Sequence, residues 1–220
     1  MLSNGDYSLK FMPYKKGMIV KMDWNKETVQ KMEWNGEISN FEEKLKVAKK
    51  IVEKVKDGDV IGVGSGSTSF IAIKEIAKKV KEENLKITAI PTSYEINLLC
   101  NELRIPTASL LDKKPDWSFD GADEVNDKNW LVKGRGGAMF REKLNIASSE
   151  VTYILVDETK FVKNICDKFP IPVEVTPMAI NYVRQAMFNM GAEKVNLRPA
   201  KGKDGPVITE NRKCYTRCYF

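Results

Sequence analysis

The chain contains no histidine. That absence removes Ser-His-Asp and Cys-His nucleophile activation, HExxH zinc sites, Cys2His2 fingers and the histidine-based deaminase signature together. Proton transfer is left to Asp, Glu, Lys, Tyr or Cys. Cysteine is sparse: Cys100, Cys166, Cys214 and Cys218 lie far apart except for the last pair, whose spacing is not that of a CxxC redox or zinc pair. Reduced thiols of a cytoplasmic protein are the expectation. Long hydrophobic runs are also missing. The longest are strand-sized, and residues 1–40 are broken by Lys, Asp and Asn, so neither a membrane span nor a secretory leader is expected.

What is present is ordinary globular material: 220 residues, 42% apolar, 9% aromatic and 30% charged. That length supports one good core or two small ones. Thirty-six Lys and Arg against thirty Asp and Glu leave a net charge of +6, which suits an anionic substrate as well as nucleic acid.

Residues 1–40 carry a near repeat, Lys21-Met22-Asp23-Trp24-Asn25 and Lys31-Met32-Glu33-Trp34-Asn35, with little periodicity around it. Two copies are too few for a solenoid, and a weakly ordered N-terminal extension is expected over 1–40. From Phe41 the pattern is regular. Leu45, Ala48, Ile51, Val52 and Val55 recur at helical spacing, Val60 to Val63 reads as a strand, and Phe70, Ile73, Ile76 and Val80 mark a second amphipathic helix. Strand-like stretches at 87–90, 117–119, 151–156 and 173–175 then alternate with helix-like stretches at 94–103, 138–148 and 178–190. Such alternation predicts an α/β fold with a Rossmann-like, mostly parallel sheet covered by helices. Ligands in such sheets bind where the C-terminal strand ends open into loops, and the motifs fall there.

Gly62-Val63-Gly64-Ser65-Gly66-Ser67-Thr68 joins a strand to a helix. Glycines permit close backbone approach to a phosphate, and the helix start and the hydroxyls add donors. No Lys follows for a Walker A and Ser69 interrupts GxGxxG, so a simple glycine turn with Ser/Thr caps is the competing reading. Phe119-Asp120-Gly121-Ala122-Asp123-Glu124-Val125 sets three carboxylates within five residues. Mutual repulsion lets one keep its proton into neutral pH, as an acid/base group requires; a solvated turn or a Mg²⁺ site are the alternatives. Lys133-Gly134-Arg135-Gly136-Gly137 leads into a helix bearing Arg141, Glu142 and Lys143, a second donor-rich nest for an oxyanion. Lys160, just after Val156-Asp157, is a loop cation that by itself reads as a surface lysine.

In this order, together with Pro91-Thr92-Ser93, Val156-Asp157-Glu158-Thr159-Lys160 and Lys168-Phe169-Pro170-Ile171-Pro172-Val173-Glu174-Val175, the motifs closely resemble the A-type ribose-5-phosphate isomerases from about Phe41 to Thr209. The resemblance implies cofactor-free, metal-free interconversion of ribose 5-phosphate and ribulose 5-phosphate through an enediolate. It implies Glu142 as the base, Asp120 in ring opening, Asp123 on sugar hydroxyls, and the backbone N–H groups of the Lys133 to Gly137 loop with the Lys133 ammonium at the oxyanion. It also implies substrate contacts from Ser65, Gly66, Ser67 and Thr68, from Asp120, Gly121, Ala122 and Asp123, from Lys133, Gly134, Arg135 and Gly136, and from Lys160, with Lys44 as a further contact. Arg135 stands where many members have glycine, so the loop forms as expected provided that its backbone stays out of the left-handed region.

The implied organisation is an extension over 1–40, a catalytic domain over 41–165 and a partial α+β lobe over 166–220, whose pattern departs from the family's at Arg212. An incomplete lobe exposes strand edges and apolar surface. The expected partner is a sugar phosphate, with no nucleic acid or membrane, and a homodimer if the lobe permits. Glucosamine-6-phosphate deaminases and coenzyme A transferases share the fold and its glycine turns; the first normally employ a histidine, which is absent here, and the second use a glutamate in another context. A sugar-phosphate-sensing regulator is the alternative function, against which the joint presence of Asp120, Asp123, Lys133 and Glu142 argues.

Overall fold

A computed structural model describes residues 30–220. Helix α1 (Phe41–Val52) buries Ala48 and Ile51 and ends before the Asp57-Gly58 turn, where Gly58 takes a φ of 86°. Strand β1 (Val60–Val63), helix α2 (Ser67–Glu82), strand β2 (Thr88–Pro91), helix α3 (Tyr94–Glu102) and strand β3 (Trp117–Asp120) follow. After β3 come a short hairpin, β4 (Glu124–Val125) and β5 (Leu131–Val132), then helix α4 (Met139–Ser148) and strand β6 (Val151–Ile154). The main sheet is parallel, ordered β2-β1-β3-β6. The chain leaves β1 first toward β2 and then crosses to β3 on its other side, so the strand order switches direction between β1 and β3. In open α/β sheets the binding crevice lies at that switch point.

Ile61, Val63, Ala89 and Phe119 join Phe70, Ile73 and Ile76 of α2 and Ala48 and Ile51 of α1 in the core. The opposite side of the sheet is polar and closely packed under α4. The Ser118 hydroxyl hydrogen-bonds that of Thr152 at 2.7 Å, and the Asn145 side-chain amide donates to the Ile90 carbonyl at 2.8 Å. A Cβ on Gly62 would lie 2.7 Å from Ser118 Cβ and 3.2 Å from the Asn145 amide, so glycine here serves strand and helix packing.

The second unit is an antiparallel sheet, β7 (Ile171–Val175), β9 (Cys214–Tyr219) and β8 (Lys194–Leu197), with helix α5 (Ile180–Asn189) against it. Its core is small: Ala192, Val195 and Cys218, flanked by Val173, Met187 and Phe188. Met178, Tyr182 and Met190 stay exposed.

Two expectations about the chain ends are corrected. The stretch after Arg212, read from sequence as departing from the pattern, supplies the central strand of the lobe. Strand β9 pairs with β7 on one side and β8 on the other, and buries Cys214, Tyr215, Thr216 and Cys218. Its aromatic and β-branched content suits a pleated surface, which is the physical reason that it pairs. Within the expected extension, Met32, Trp34 and Ile38 pack against the main core, and the Trp34 ring meets Phe70 edge-on at 5.5 Å. A tryptophan that finds an aromatic partner on a core helix buries too much apolar area to stay in solvent. The first copy of the near repeat, around Trp24, lies outside the described residues.

Among the described residues no helix is long and apolar enough to cross a membrane. All four cysteines are free thiols, and burial pushes the Cys100 thiol up to about 12.

Candidate active site

Two periodicities build the site. Along a strand, residues two apart share a face; along a helix, residues three apart do. Ser118 and Asn145 meet beneath Gly62. One step further toward the strand ends, Asp120 lies over Gly64, and Glu142 stands one helical turn before Asn145. Both carboxylates are thereby delivered to the mouth of the β1–β3 crevice, and both are buried. A Cβ on Gly64 would lie 2.2 Å from the Asp120 carboxyl carbon, so only glycine leaves room for that side chain.

The hairpin brings the cation. Pairing of Glu124 with Val132 and of Val125 with Leu131, and donation from the Asp123 N–H to the Val132 carbonyl at 2.7 Å, return the chain so that Lys133 emerges beside the carboxylates. Its Nζ is 2.9 Å from Asp120 Oδ2 and 3.6 Å from Glu142 Oε2, and it donates to the Gly121 carbonyl. The Ser65 hydroxyl donates to Glu142 Oε1 at 2.5 Å. One ammonium neutralises one carboxylate, so the second favours its proton. Asp120 is the group affected: burial, and secondarily the Glu142 charge, push it up to about 7 against the pull of Lys133. Lys133 is raised as well. Burial opposes its charge, but Asp120 and Glu142 together hold it above the ordinary lysine value.

The other end of the cleft is cationic. The Lys44 ammonium donates to the Ser67 hydroxyl at 3.0 Å and to Ser39 at 3.5 Å. Burial lowers its pKa, Asp157 opposes the shift, and the nearby charges of Lys160 and Arg135 lower it further. Lys160 and Arg135 both lie over the Phe169 ring, at 5.5 and 5.3 Å. Cations crowded so that they disfavour one another form a receptor for a multiply charged anion. The turn 65–68 spans the cleft: Ser65 touches Glu142 and Ser67 touches Lys44.

The site residues that the family resemblance implies all line this one cleft of about 410 Å³: Lys44; Ser65, Gly66, Ser67 and Thr68; Asp120, Gly121, Ala122 and Asp123; Lys133, Gly134, Arg135 and Gly136; Glu142; and Lys160. The glycine loop is held from several sides. Asp123 Oδ2 accepts from the Arg135 N–H at 3.1 Å, the Gly137 N–H donates to Gly134, and the Glu210 N–H donates to the Gly137 carbonyl. Two of the loop's N–H groups are thus engaged internally. Arg135 adopts no positive φ; Gly134 and Gly137 take those positions at 106° and 89°. Glu124, the third carboxylate of the acidic run, is absent from the cleft. It is fully buried and accepts the N–H groups of Cys166, Lys168 and Phe169 at 2.5–2.7 Å, fixing the loop that carries Phe169.

Glu37, Ile38, Ser39 and Arg198, which the sequence does not mark, also line the cleft, as does Trp34, a tryptophan of the near repeat for which a recognition patch is the less favoured reading from sequence. Arg198 enters from the lobe, stacks on Tyr215 at 4.8 Å and donates to the Arg135 carbonyl. No local pattern marks it, because its role arises only when the lobe folds against the loop.

A parallel-sheet domain that sets two buried carboxylates around an ammonium at its switch point, opposite a cationic hydroxyl-rich turn, can exchange protons with a small anionic ligand. Residues 88–220 match the family model of ribose 5-phosphate isomerase A (phosphoriboisomerase A). The ribose-5-phosphate isomerase A of Methanocaldococcus jannaschii is 46% identical over 175 residues, 79% of this chain and 77% of that protein. Its solved structure superposes with a TM-score of 0.80 at 43% identity, covering 83% of this chain and 81% of that one. A D-ribose-5-phosphate isomerase in complex with phospho-erythronic acid gives a TM-score of 0.79 at 38% identity, covering 83% and 80%. The chain belongs to the ribose 5-phosphate isomerase A family.

Proposed function

We propose that this chain interconverts D-ribose 5-phosphate and D-ribulose 5-phosphate, with Glu142 as the base that carries a proton between C2 and C1. The observation that carries this reading is the buried Glu142–Lys133–Asp120 cluster, with Nζ 3.6 Å from one carboxylate and 2.9 Å from the other. Removing a proton α to a carbonyl needs a base and a positive group for the oxygen that becomes negative. Glu142 and Lys133 supply that pair from adjacent positions. Asp120, raised to about 7, exchanges its proton near neutrality and hands it between ring and anomeric oxygens during ring opening. Asp123 steadies the loop through the Arg135 N–H and faces the sugar hydroxyls with its remaining acceptor capacity.

The phosphate belongs at the far end, on Lys44, Lys160 and Arg135 with the hydroxyls of Ser67 and Thr68. The mutual repulsion of the cations there supports the assignment, since a dianion relieves it. Held by its phosphate, the sugar lays C1 and C2 toward Glu142, and binding at one end positions reaction at the other. A coupled aldose–ketose assay of Glu142→Gln tests the reading. Shape and hydrogen bonding to Ser65 persist while the base is lost, and kcat falls by about a hundredfold or more. Turnover close to wild type removes Glu142 from the role.

A further inference from the structure

The stretch from Met32 to Ser39 precedes the first helix and lies outside the residues that match the family model, yet it forms part of the cleft. Three anchors hold it. Met32, Trp34 and Ile38 pack against the main core; the Met32 N–H donates to Glu102 Oε2, at the end of α3, at 2.7 Å; and the Trp34 ring meets Phe70 of α2 at 5.5 Å and 62°. Held this way, Trp34, Glu37, Ile38 and Ser39 face the cleft.

Their position within it follows from Lys44. That ammonium donates to Ser67 at 3.0 Å and to Ser39 at 3.5 Å, whereas Glu142 is reached through Ser65 at the opposite end of the same turn. The segment therefore borders the cationic end, away from the base. We propose that Trp34 and Ile38 form an end wall that selects the substrate by length. A pentose 5-phosphate spans from Glu142 to Lys44 with its phosphate short of the wall. A sugar phosphate one carbon longer, its C1 and C2 at Glu142, presses its phosphate against an apolar surface pinned to the core. Such a phosphate loses water against the carbon surface of Trp34 and Ile38, a cost that the shorter substrate does not meet.

The inference rests on the assignment of the phosphate end given above. The test compares D-ribose 5-phosphate with D-allose 6-phosphate, which keeps the same configuration at C2 to C4 and adds one carbon. Trp34→Ala reduces the preference for the pentose phosphate over the hexose phosphate by about tenfold or more, chiefly by improving kcat/KM for the hexose phosphate. Trp34→Phe, which keeps a ring against Phe70, recovers most of the preference. Ile38→Ala, a smaller truncation, shifts the ratio in the same direction and decides the matter if Trp34→Ala does not fold. A ratio within twofold of wild type in the folded alanine variants overturns the wall. Calorimetric binding of the two phosphates reads the same ratio without turnover, so the wall is judged separately from the catalytic role of Glu142.

Discussion

Replacing Gly64 by alanine separates two uses of glycine in the turn after β1. The added Cβ would lie 2.2 Å from both Cγ and Oδ1 of Asp120 and 2.6 Å from its Cα, whereas ordinary contact begins near 3.4 Å. Swinging the carboxyl aside relieves the first conflict and leaves the second, which is with backbone. The strands do not part freely, because Val63 pairs with Phe119 and the Gly64 N–H donates to the Phe119 carbonyl at 2.8 Å. Asp120 must then retreat by about 1 Å and pull away from Lys133. Overpacking of this kind destabilises by about 1–3 kcal/mol, and at about 2–4 °C per kcal/mol the melting temperature drops by about 2–12 °C. A 1 Å displacement of a reacting group lowers turnover by about a hundredfold. Gly66→Ala is the control. Its Cβ meets nothing within 4 Å, but its φ of 85° is a glycine conformation, so backbone strain of about 1–3 kcal/mol falls on the Ser67 side of the turn. The coupled isomerase assay with thermal unfolding should show kcat loss for Gly64→Ala and mainly a KM increase for Gly66→Ala. Wild-type kcat and melting temperature in Gly64→Ala would refute the packing argument.

Asp120 also predicts a pH dependence. A carboxyl raised in the folded state contributes stability that is complete below the unfolded value of about 4 and is lost as pH climbs through the folded value, here about 7. Asp120→Asn removes that slope, so its melting temperature gains on wild type between about pH 4 and 7; a constant difference across the window contradicts the assignment. Glu124→Gln keeps the volume but turns an N–H donor toward backbone donors, and the lost charge-assisted bonds lower stability by about 1–3 kcal/mol, measured by denaturant unfolding; an unchanged midpoint would deny Glu124 its hold on residues 166–169. Arg198→Ala releases the Arg135 carbonyl, lowering kcat/KM by about tenfold, with partial rescue by guanidinium ion and little by Arg198→Lys; no loss would mean that the lobe does not steady the glycine loop. Lys160→Ala should act on KM for ribose 5-phosphate, and an unchanged KM rejects that contact.

The helices and the parallel strands were legible because each presents one periodicity to a large core: Leu45, Ala48 and Ile51 on α1, Ile73 and Ile76 on α2, and the short apolar run of β1. Local chemistry likewise marked the loops after strands but left each motif open, and it was the family resemblance that named the residues now found around one cleft. What sequence could not give was why the glycines are there. Gly62 and Gly64 read equally as phosphate approach, yet their Cβ positions are occupied by Ser118, Asn145 and Asp120, residues more than 50 positions away. Glu124 was equally opaque: beside Asp120 and Asp123 it looks like a third acid, and only the return of residues 166–169 shows it bound to backbone N–H groups. Strand β9 was missed because Cys-Tyr-Thr-Arg-Cys-Tyr alternates without a strongly apolar face, and its pairing comes from two strands that flank it only after folding.

The absence of histidine is compensated by geometry. A carboxyl group in water is too acidic to trade protons efficiently at neutral pH, and an ammonium holds its proton too tightly. Buried together with one positive charge between two negative ones, the carboxyls share a single counterion, and Asp120 moves into the range that an imidazole would otherwise occupy. That arrangement requires all three groups at once. Removing Lys133 leaves Asp120 and Glu142 as buried like charges, so Lys133→Met should reduce stability as well as turnover, and adding Asp120→Asn should recover part of the stability without restoring kcat. The double variant decides the point. Additive losses in melting temperature would mean that the ammonium and the carboxyls do not act as one electrostatic unit.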